Sequence, residues 1–280
     1  MVPAVRPRGF SLVEMMVALS LGLLVLALAL QGALTMQNSL YAIERRLRLH
    51  QDGQFALLQL ADSWRKHGRF ACAQLGLSPG AGFDTSEGMR FRYGVRPAVV
   101  TRREGGVVIR WSGSADLAEV ALASCASLRI VRRGDGAWQW RRESRDQLLI
   151  LPGSAEESWP DADPASLEAM AIKWQRYFLR QNGNDSMLWL EQGLPGQATE
   201  APQLLAAGVT ALRQRFGVRS ACRPLTLKWR EQAGQLSTED WRRLLRVELT
   251  LEMRLGQERW AWSTMVALTP ALPCALEPGE

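Results

Sequence analysis

Near its N-terminus the chain carries an apolar run, from Phe10 to Leu30, in which Glu14 is the only charged residue. At about 1.5 Å of rise per residue, a helix over this run is about as long as the roughly 30 Å hydrocarbon core of a bilayer. A carboxylate inside such a segment costs roughly 2.5–3.5 kcal/mol on insertion, so a retained one usually has a partner or a function. The run therefore predicts a membrane-spanning helix with a functional glutamate.

A short basic leader, with Arg6 and Arg8, precedes the run and ends in Gly9. The segment Gly-Phe-Ser-Leu-Val-Glu-Met-Met, which starts at Gly9, resembles the class III leader of type IV prepilins and pseudopilins. In that family a membrane prepilin peptidase cuts after the glycine and methylates the new N-terminal residue. The resemblance implies cleavage between Gly9 and Phe10, N-methylation of Phe10, and a role in assembly for Glu14.

The chemistry of this pattern can be argued directly. Cleavage creates a free amine on Phe10 at the membrane boundary, and Glu14 lies one helical turn along on nearly the same face. The two charges can compensate each other within one subunit or between neighbours. Between neighbours, the pair would set the axial register of a helical assembly, because each unpaired charge is penalised in lipid.

Other classes of segment share parts of this pattern. An ordinary secretory signal would be cut after its apolar region, and Ala27-Leu28-Ala29, with small residues on either side of Leu28, could pass as the cut site. The length of the run and its internal glutamate are atypical of such a signal. A plain single-pass anchor is equally allowed by length. A buried helix of a soluble protein would carry more charge over this length.

Helical spacing continues beyond the apolar run. No proline occurs between Phe10 and Ser78, Gly68 is a candidate C-cap, and a helix up to His67 would be about 87 Å long. Its second half is expected to pack on the head. Its apolar positions follow helical spacing on both sides of a polar gap at His50, Gln51 and Gln54: Leu40, Ile43, Leu47, Leu57, Leu58, Ala61 and Trp64. The expected organisation is a leader over 1–9, a transmembrane half over 10–30, an amphipathic half over 31–67 and a β-rich head over 68–280.

The head reads as strands and turns, so the fold class is α+β and resembles a pilin. Three hairpins are expected from paired apolar runs: one flanking Gly134-Asp135-Gly136, one flanking Asn182 to Asp185, and one formed by 246–255 and 260–268. Residues 204–216 fit a short helix or a strand, and 152–166, rich in proline, serine and acidic residues, reads as an exposed loop.

All four cysteines follow the membrane segment: Cys72, Cys125, Cys222 and Cys274. An even number in an exported domain favours disulfides over free thiols. Four cysteines allow three pairings. Pairing sequence neighbours, Cys72 with Cys125 and Cys222 with Cys274, is the expected arrangement.

The sequence offers no catalytic constellation. His50 and His67 are the only histidines, both are expected on the polar face of the long helix, and no spacing typical of a zinc site or a nucleotide-binding P-loop is present. No cofactor or metal is therefore expected. Acidic turns such as 182–185 could hold calcium, but turn chemistry explains them more simply.

Three arginine doublets leave a nucleic-acid surface open as a further interpretation: Arg102-Arg103, Arg132-Arg133 and Arg141-Arg142. A solvated strand face is the favoured interpretation, since positive doublets alone are common and the net charge is only +6.

The layout of the head, with a cysteine just after the long helix and a closing pair of strands, resembles PilW-type minor pilins. That resemblance implies a non-enzymatic protein of the inner membrane, with its head in the periplasm, that joins the pilus at the cell surface. Its implied partners are prepilin peptidase, other minor pilins and the major pilin. A J-type pseudopilin of type II secretion and a pilus-tip adhesin or DNA-binding module are the alternatives.

Overall fold

The protein is described here from a computed structural model. The description covers residues 11–70, 73–74, 88–103, 105–111, 117–124, 128–153, 167–182, 185–194, 199–222 and 225–268. The expected loop at 152–166 lies almost wholly outside these residues.

One long helix is followed by fifteen described strands and one short helix. Their bounds are α1 Leu12–Lys66, β1 Arg69–Phe70, β2 Ala73–Gln74, β3 Met89–Arg103, β4 Gly106–Arg110, β5 Glu119–Ala123, β6 Leu128–Arg132, β7 Trp138–Arg142, β8 Gln147–Pro152, β9 Glu168–Asn182, β10 Asp185–Gly193, β11 Gln203–Ala207, β12 Val209–Cys222, β13 Leu225–Arg230, α2 Thr238–Arg242, β14 Leu244–Leu255 and β15 Glu258–Ala267. A long apolar N-terminal helix before a β-rich region confirms the expected α+β class.

The chain divides into two compact units, residues 1–51 and residues 52–280. In the first unit the described residues form helix, and every side chain from Leu12 to Leu47 is exposed. In the second unit the last part of α1, from Asp52, packs against the strands of the head. Gly68 follows the helix with φ of 71°, which agrees with its expected role as a C-cap.

The strands of the head form two principal sheets. The larger has the order β11-β10-β9-β3-β4-β8-β7, and the short pair β5-β6 joins it through β9. The smaller has the order β13-β12-β14-β15. The long strands β3 and β9 connect two regions of the larger sheet, because β3 pairs with β9 through Ala98 and with β4 from Val99 onward.

One core of the head lies between β4-β8-β7 and the β5-β6-β9 region. Val107, Ile109, Leu122 and Ile150 are completely or almost completely buried in it. Strands from both sides contribute, so this part of the head is a β-sandwich held by alternating inward side chains.

The expected hairpin around Gly134 is wrong. Strand β6 pairs with β5, and β7 pairs with β8. Val131 of β6 and Trp138 of β7 are both buried in the sandwich core, so the turn between them carries the chain from one layer to the other. The other two expected hairpins, β9-β10 and β14-β15, are confirmed. Residues 204–216 are strand rather than helix, split between β11 and β12.

The apolar positions expected on the second half of α1 do not all pack on the head. Leu57, Ala61 and Trp64 are buried in the head, whereas Leu58 is 61% exposed. Phe55, three residues before Leu58, is 57% exposed. Residues 55 and 58 lie on a different helical face from 57, 61 and 64, so this part of the helix has apolar side chains on two faces.

Candidate functional site: the N-terminal helix and its seat in the head

The membrane-spanning candidate is the first part of α1. The helix contains an 18-residue window with mean hydropathy 2.4, none of it buried within the structure. Glu14 lies in its first turn, where a carboxylate is favoured by the helix dipole. The helical bond from Met15 N to Ser11 O, at 3.1 Å, places the helix start next to the expected cleavage site. Gly9 and Phe10 themselves lie outside the described residues.

The end of α1 is anchored by an aromatic cluster. Trp64 is 1% exposed and meets Phe91 and Phe216 edge to face, with ring centroids 5.3 and 6.0 Å apart. Phe91 belongs to β3 and Phe216 to β12. One helical side chain therefore joins the helix to both principal sheets of the head, at a geometry that favours aromatic pairs.

His67 is part of this cluster and not a residue of the polar face. Its ring centroid lies 5.6 Å from that of Phe91 and 6.3 Å from that of Trp64. Nδ1 accepts a hydrogen bond from the backbone N–H of Arg92, at 3.0 Å. Burial, with the nearby Arg92 charge as a second cause, lowers the pKa of His67 from 6.5 to about 4. The imidazole is therefore a neutral acceptor that ties the helix end to β3.

A buried polar network fixes the helix against β9. Ser63 Oγ lies 2.8 Å from Gln175 Oε1 and 2.7 Å from Tyr177 Oη. The Tyr177 hydroxyl also lies 3.3 Å from the carbonyl oxygen of Gln59. Burial raises the pKa of Tyr177, so the phenol keeps its proton and remains a donor. Such a network specifies one position of the helix along the strand, because sliding would leave buried polar groups unpaired.

Gly53 allows close approach of the helix to the smaller sheet. A Cβ at this position would lie 2.8 Å from Met253 Sδ and 3.0 Å from the ring of Trp262. Gly32, in contrast, has open space around the same position. The sequence showed both glycines only as weak points of a helix. The contact of Gly53 with β14 and β15 depends on tertiary packing, which helical spacing alone does not reveal.

Carboxylates neutralise part of the arginine doublets. Arg132 Nε lies 3.0 Å from Glu119 Oε1, and Arg92 pairs with the other oxygen of the same carboxylate. Arg103 lies 3.5 Å from Glu143. At these positions the doublets take part in ion pairs, which reduces the positive charge they present to a polyanion.

Cys222 ends β12 and is disulfide-bonded. Cys72, Cys125 and Cys274 lie outside the described residues, so the pairing of Cys222 with Cys274 stays a prediction. No group of three or more His, Cys, Asp or Glu side chains that could hold a metal ion occurs within the described ranges.

Residues 6–30 match the family model described as the prokaryotic N-terminal methylation motif. The chain carries a prepilin-type methylation motif. The match covers the last four residues of the expected leader and the apolar run, and it supports the pilin and pseudopilin superfamily. Together with the exposed apolar helix it supports membrane anchoring. No curated protein and no solved structure matches the chain.

Proposed function

We propose that this chain is a minor pilin of a type IV pilus, PilW-like, that primes or caps the filament and has no catalytic activity of its own. The observation that carries the proposal is the methylation motif at 6–30, which leads directly into an apolar helix with exposed side chains. In this proposal the inner membrane holds the helix and the periplasm holds the head, until the subunit enters a filament.

The exposed helix supports a role in assembly. A lipid-soluble segment can leave the bilayer only if other apolar surfaces replace its lipid contacts. Neighbouring pilin helices would supply such surfaces, so the proposed partners are the major pilin and other minor pilins. Glu14 would then meet the methylated amine of a neighbour's Phe10 and fix the axial register.

The second apolar face of α1 supports the same role within the head unit. Phe55 and Leu58 are exposed although the helix already buries Ala56, Leu57, Leu60, Ala61 and Trp64 in its own head. Exposed large apolar side chains on one face of a helix are typical of a surface that meets another helix. We propose that Phe55 and Leu58 contact the helix of an adjacent subunit.

Deletion of the chain in its host tests the proposed class of function. We expect loss of surface pili, with recovery when pilus retraction is also disabled, since a priming subunit shifts the balance toward growth. Unchanged pili with failed protein secretion would replace the proposal by a type II secretion pseudopilin. Normal piliation with lost attachment or DNA uptake would replace it by a binding module.

Complementation of the deletion with substituted chains tests the proposed roles of Glu14, Phe55 and Leu58 in assembly. Glu14→Ala should insert into the membrane at least as well as the natural chain, because a costly charge is removed, yet fail to restore pili. The double variant Phe55→Ser, Leu58→Ser should keep a folded head and also restore pili poorly. Thr250→Ser, a conservative change on strand β14 of the head, is the control and should complement fully. Full piliation by both test variants would contradict the helix-mediated role.

A further inference from the structure

Strand β15 is an edge strand with few of the features that protect such edges. It ends the smaller sheet and has ten residues, of which only Glu258 and Arg259, next to the turn, are charged. The other edge strands of the two principal sheets, β6, β7, β11 and β13, have five or six residues. Three of these, β6, β7 and β13, each carry two basic residues. Edge strands normally avoid pairing with other chains through shortness, charge or proline.

The backbone groups available on β15 can be identified from the ladder. Leu268 N donates to Leu245 O at 2.8 Å, in line with the register of β14 and β15. Hydrogen-bonded and non-hydrogen-bonded positions alternate in an antiparallel pair. Even-numbered residues of β15 therefore bond to β14, and odd-numbered residues direct N–H and C=O groups to the edge that no described strand covers, called the open edge below. Ala261, Ser263, Met265 and Ala267, which belong to the odd set, are all exposed.

The strand is complementary to itself in one register. If two copies of β15 pair antiparallel about Ser263, Trp260 stands opposite Val266 of the second copy and Trp262 stands opposite Thr264. Both are aromatic side chains against β-branched ones, a favourable class of cross-strand pair. These are the non-hydrogen-bonded positions of the new ladder, where side chains approach most closely.

The other face of the strand fits in the same register. Ala261 stands opposite Met265, a small side chain against a large one, and Arg259 stands opposite Ala267. No like charges oppose each other, and both copies contribute the same surface, as a two-fold interface requires. Five hydrogen-bonded pairs at two bonds each give about ten new backbone hydrogen bonds.

We propose that β15 is a pairing edge for a second copy of this chain, joined antiparallel about Ser263, so that two smaller sheets form one continuous eight-stranded sheet. The interface is small, so the affinity between two free heads would be low. A membrane anchor would keep the copies close together and so raise their effective concentration. The pairing does not depend on the proposed role in pilus assembly, because it uses the head and forms before any filament does.

Cysteine cross-linking of the full chain in membranes tests the register. Residues of a hydrogen-bonded pair have Cα atoms about 5.5 Å apart, which suits a disulfide. Ser263→Cys should therefore give a covalent homodimer under mild oxidation. Ala261→Cys alone should give none, because its two copies would lie about 13 Å apart along the ladder. Co-production of Ala261→Cys and Met265→Cys chains should restore the dimer.

A proline on the open edge provides the blocking variant. Met265 directs its N–H outward, so Met265→Pro keeps the ladder with β14 but cannot pair with a further strand. In the Ser263→Cys background it should abolish the dimer without lowering the unfolding temperature. Three results would overturn pairing with a second copy. Ser263→Cys could stay monomeric, the dimer could still form when Met265→Pro is added, or the cysteine could cross-link to a different protein.

Discussion

The two parts of helix α1 have the same secondary structure and opposite environments. From Leu12 to Leu47 every side chain is exposed, although most are apolar. From Gly53 to Trp64 seven residues are buried, including Ala56, Leu60 and Ala61. The first part has its apolar surface free for lipid or other subunits, and the second part belongs to the core of its own head.

These two parts of α1 show that an apolar pattern predicts a helix but does not predict which surface its apolar side chains will contact. Backbone hydrogen bonds hold both parts as helix, but the free energy of burial is gained within the chain only by the second. Changes in the second part should therefore lower the stability of the head, and changes in the first should alter insertion and assembly.

The largest expected difference in stability is between alanine substitutions at Trp64 and at Leu58. Trp64→Ala removes a fully buried aromatic side chain and should lower the free energy of unfolding of the head by about 3–5 kcal/mol. Leu58→Ala, on the exposed face of the same helix, should change it by less than about 0.5 kcal/mol. Denaturant unfolding of the full chain in detergent, followed by circular dichroism, measures both. Equal effects would show that the two faces are not distinct.

The pH dependence of head stability should depend on His67. Because its pKa falls from 6.5 to about 4 on folding, the neutral form is favoured in the folded state. Its contribution is complete above pH 6.5 and is lost as the pH falls toward 4, since only the unfolded chain takes up the proton in that window. The His67→Gln variant should have a flatter stability curve between pH 6.5 and 4. If the variant's stability depended on pH as that of the natural chain does, His67 would not be a buried neutral acceptor.

A smaller difference in stability is expected between alanine substitutions at two glycines of α1, Gly53 and Gly32. Gly53→Ala should lower the stability of the head by about 1 kcal/mol, because the clash with Met253 and Trp262 exceeds the gain in helix propensity. Gly32→Ala meets open space and should leave the stability of the head unchanged. The same unfolding assay compares them. A more stable Gly53→Ala chain would mean that the helix does not approach the sheet at this point.

Much of the fold follows from local pattern. The long helix, its end near Gly68 and two hairpins could be predicted because apolar spacing, turn residues and the absence of proline are properties of neighbouring residues. The prediction that β6 pairs with β7 was wrong, because the glycine-rich turn at 134–136 is compatible both with a hairpin and with a crossing between the two layers of the sandwich. Only the burial of Val131 and Trp138 in one sandwich core decides between them.

The methylation motif at the N-terminus could be recognised from the sequence, and the contacts in the head could not. Gly9, Phe10 and Glu14 stand in that contiguous motif, so a local pattern is enough to predict roles for them, and those roles stay predictions. The network of Ser63, Gln175 and Tyr177 joins residues more than a hundred positions apart, and no local spacing signals it. The position of His67 among aromatic rings is likewise a result of packing.

The intact mass of the protein extracted from its host membrane tests the proposed prepilin-type processing. We expect a chain that begins at Phe10, lacks residues 1–9 and carries one additional methyl group on its N-terminal amine. The Gly9→Val variant should remain uncut if a prepilin peptidase makes the proposed cut, since a small residue is needed there. A mature chain that begins near Leu30, or an uncut natural chain in a host with an active prepilin peptidase, would contradict the proposed processing.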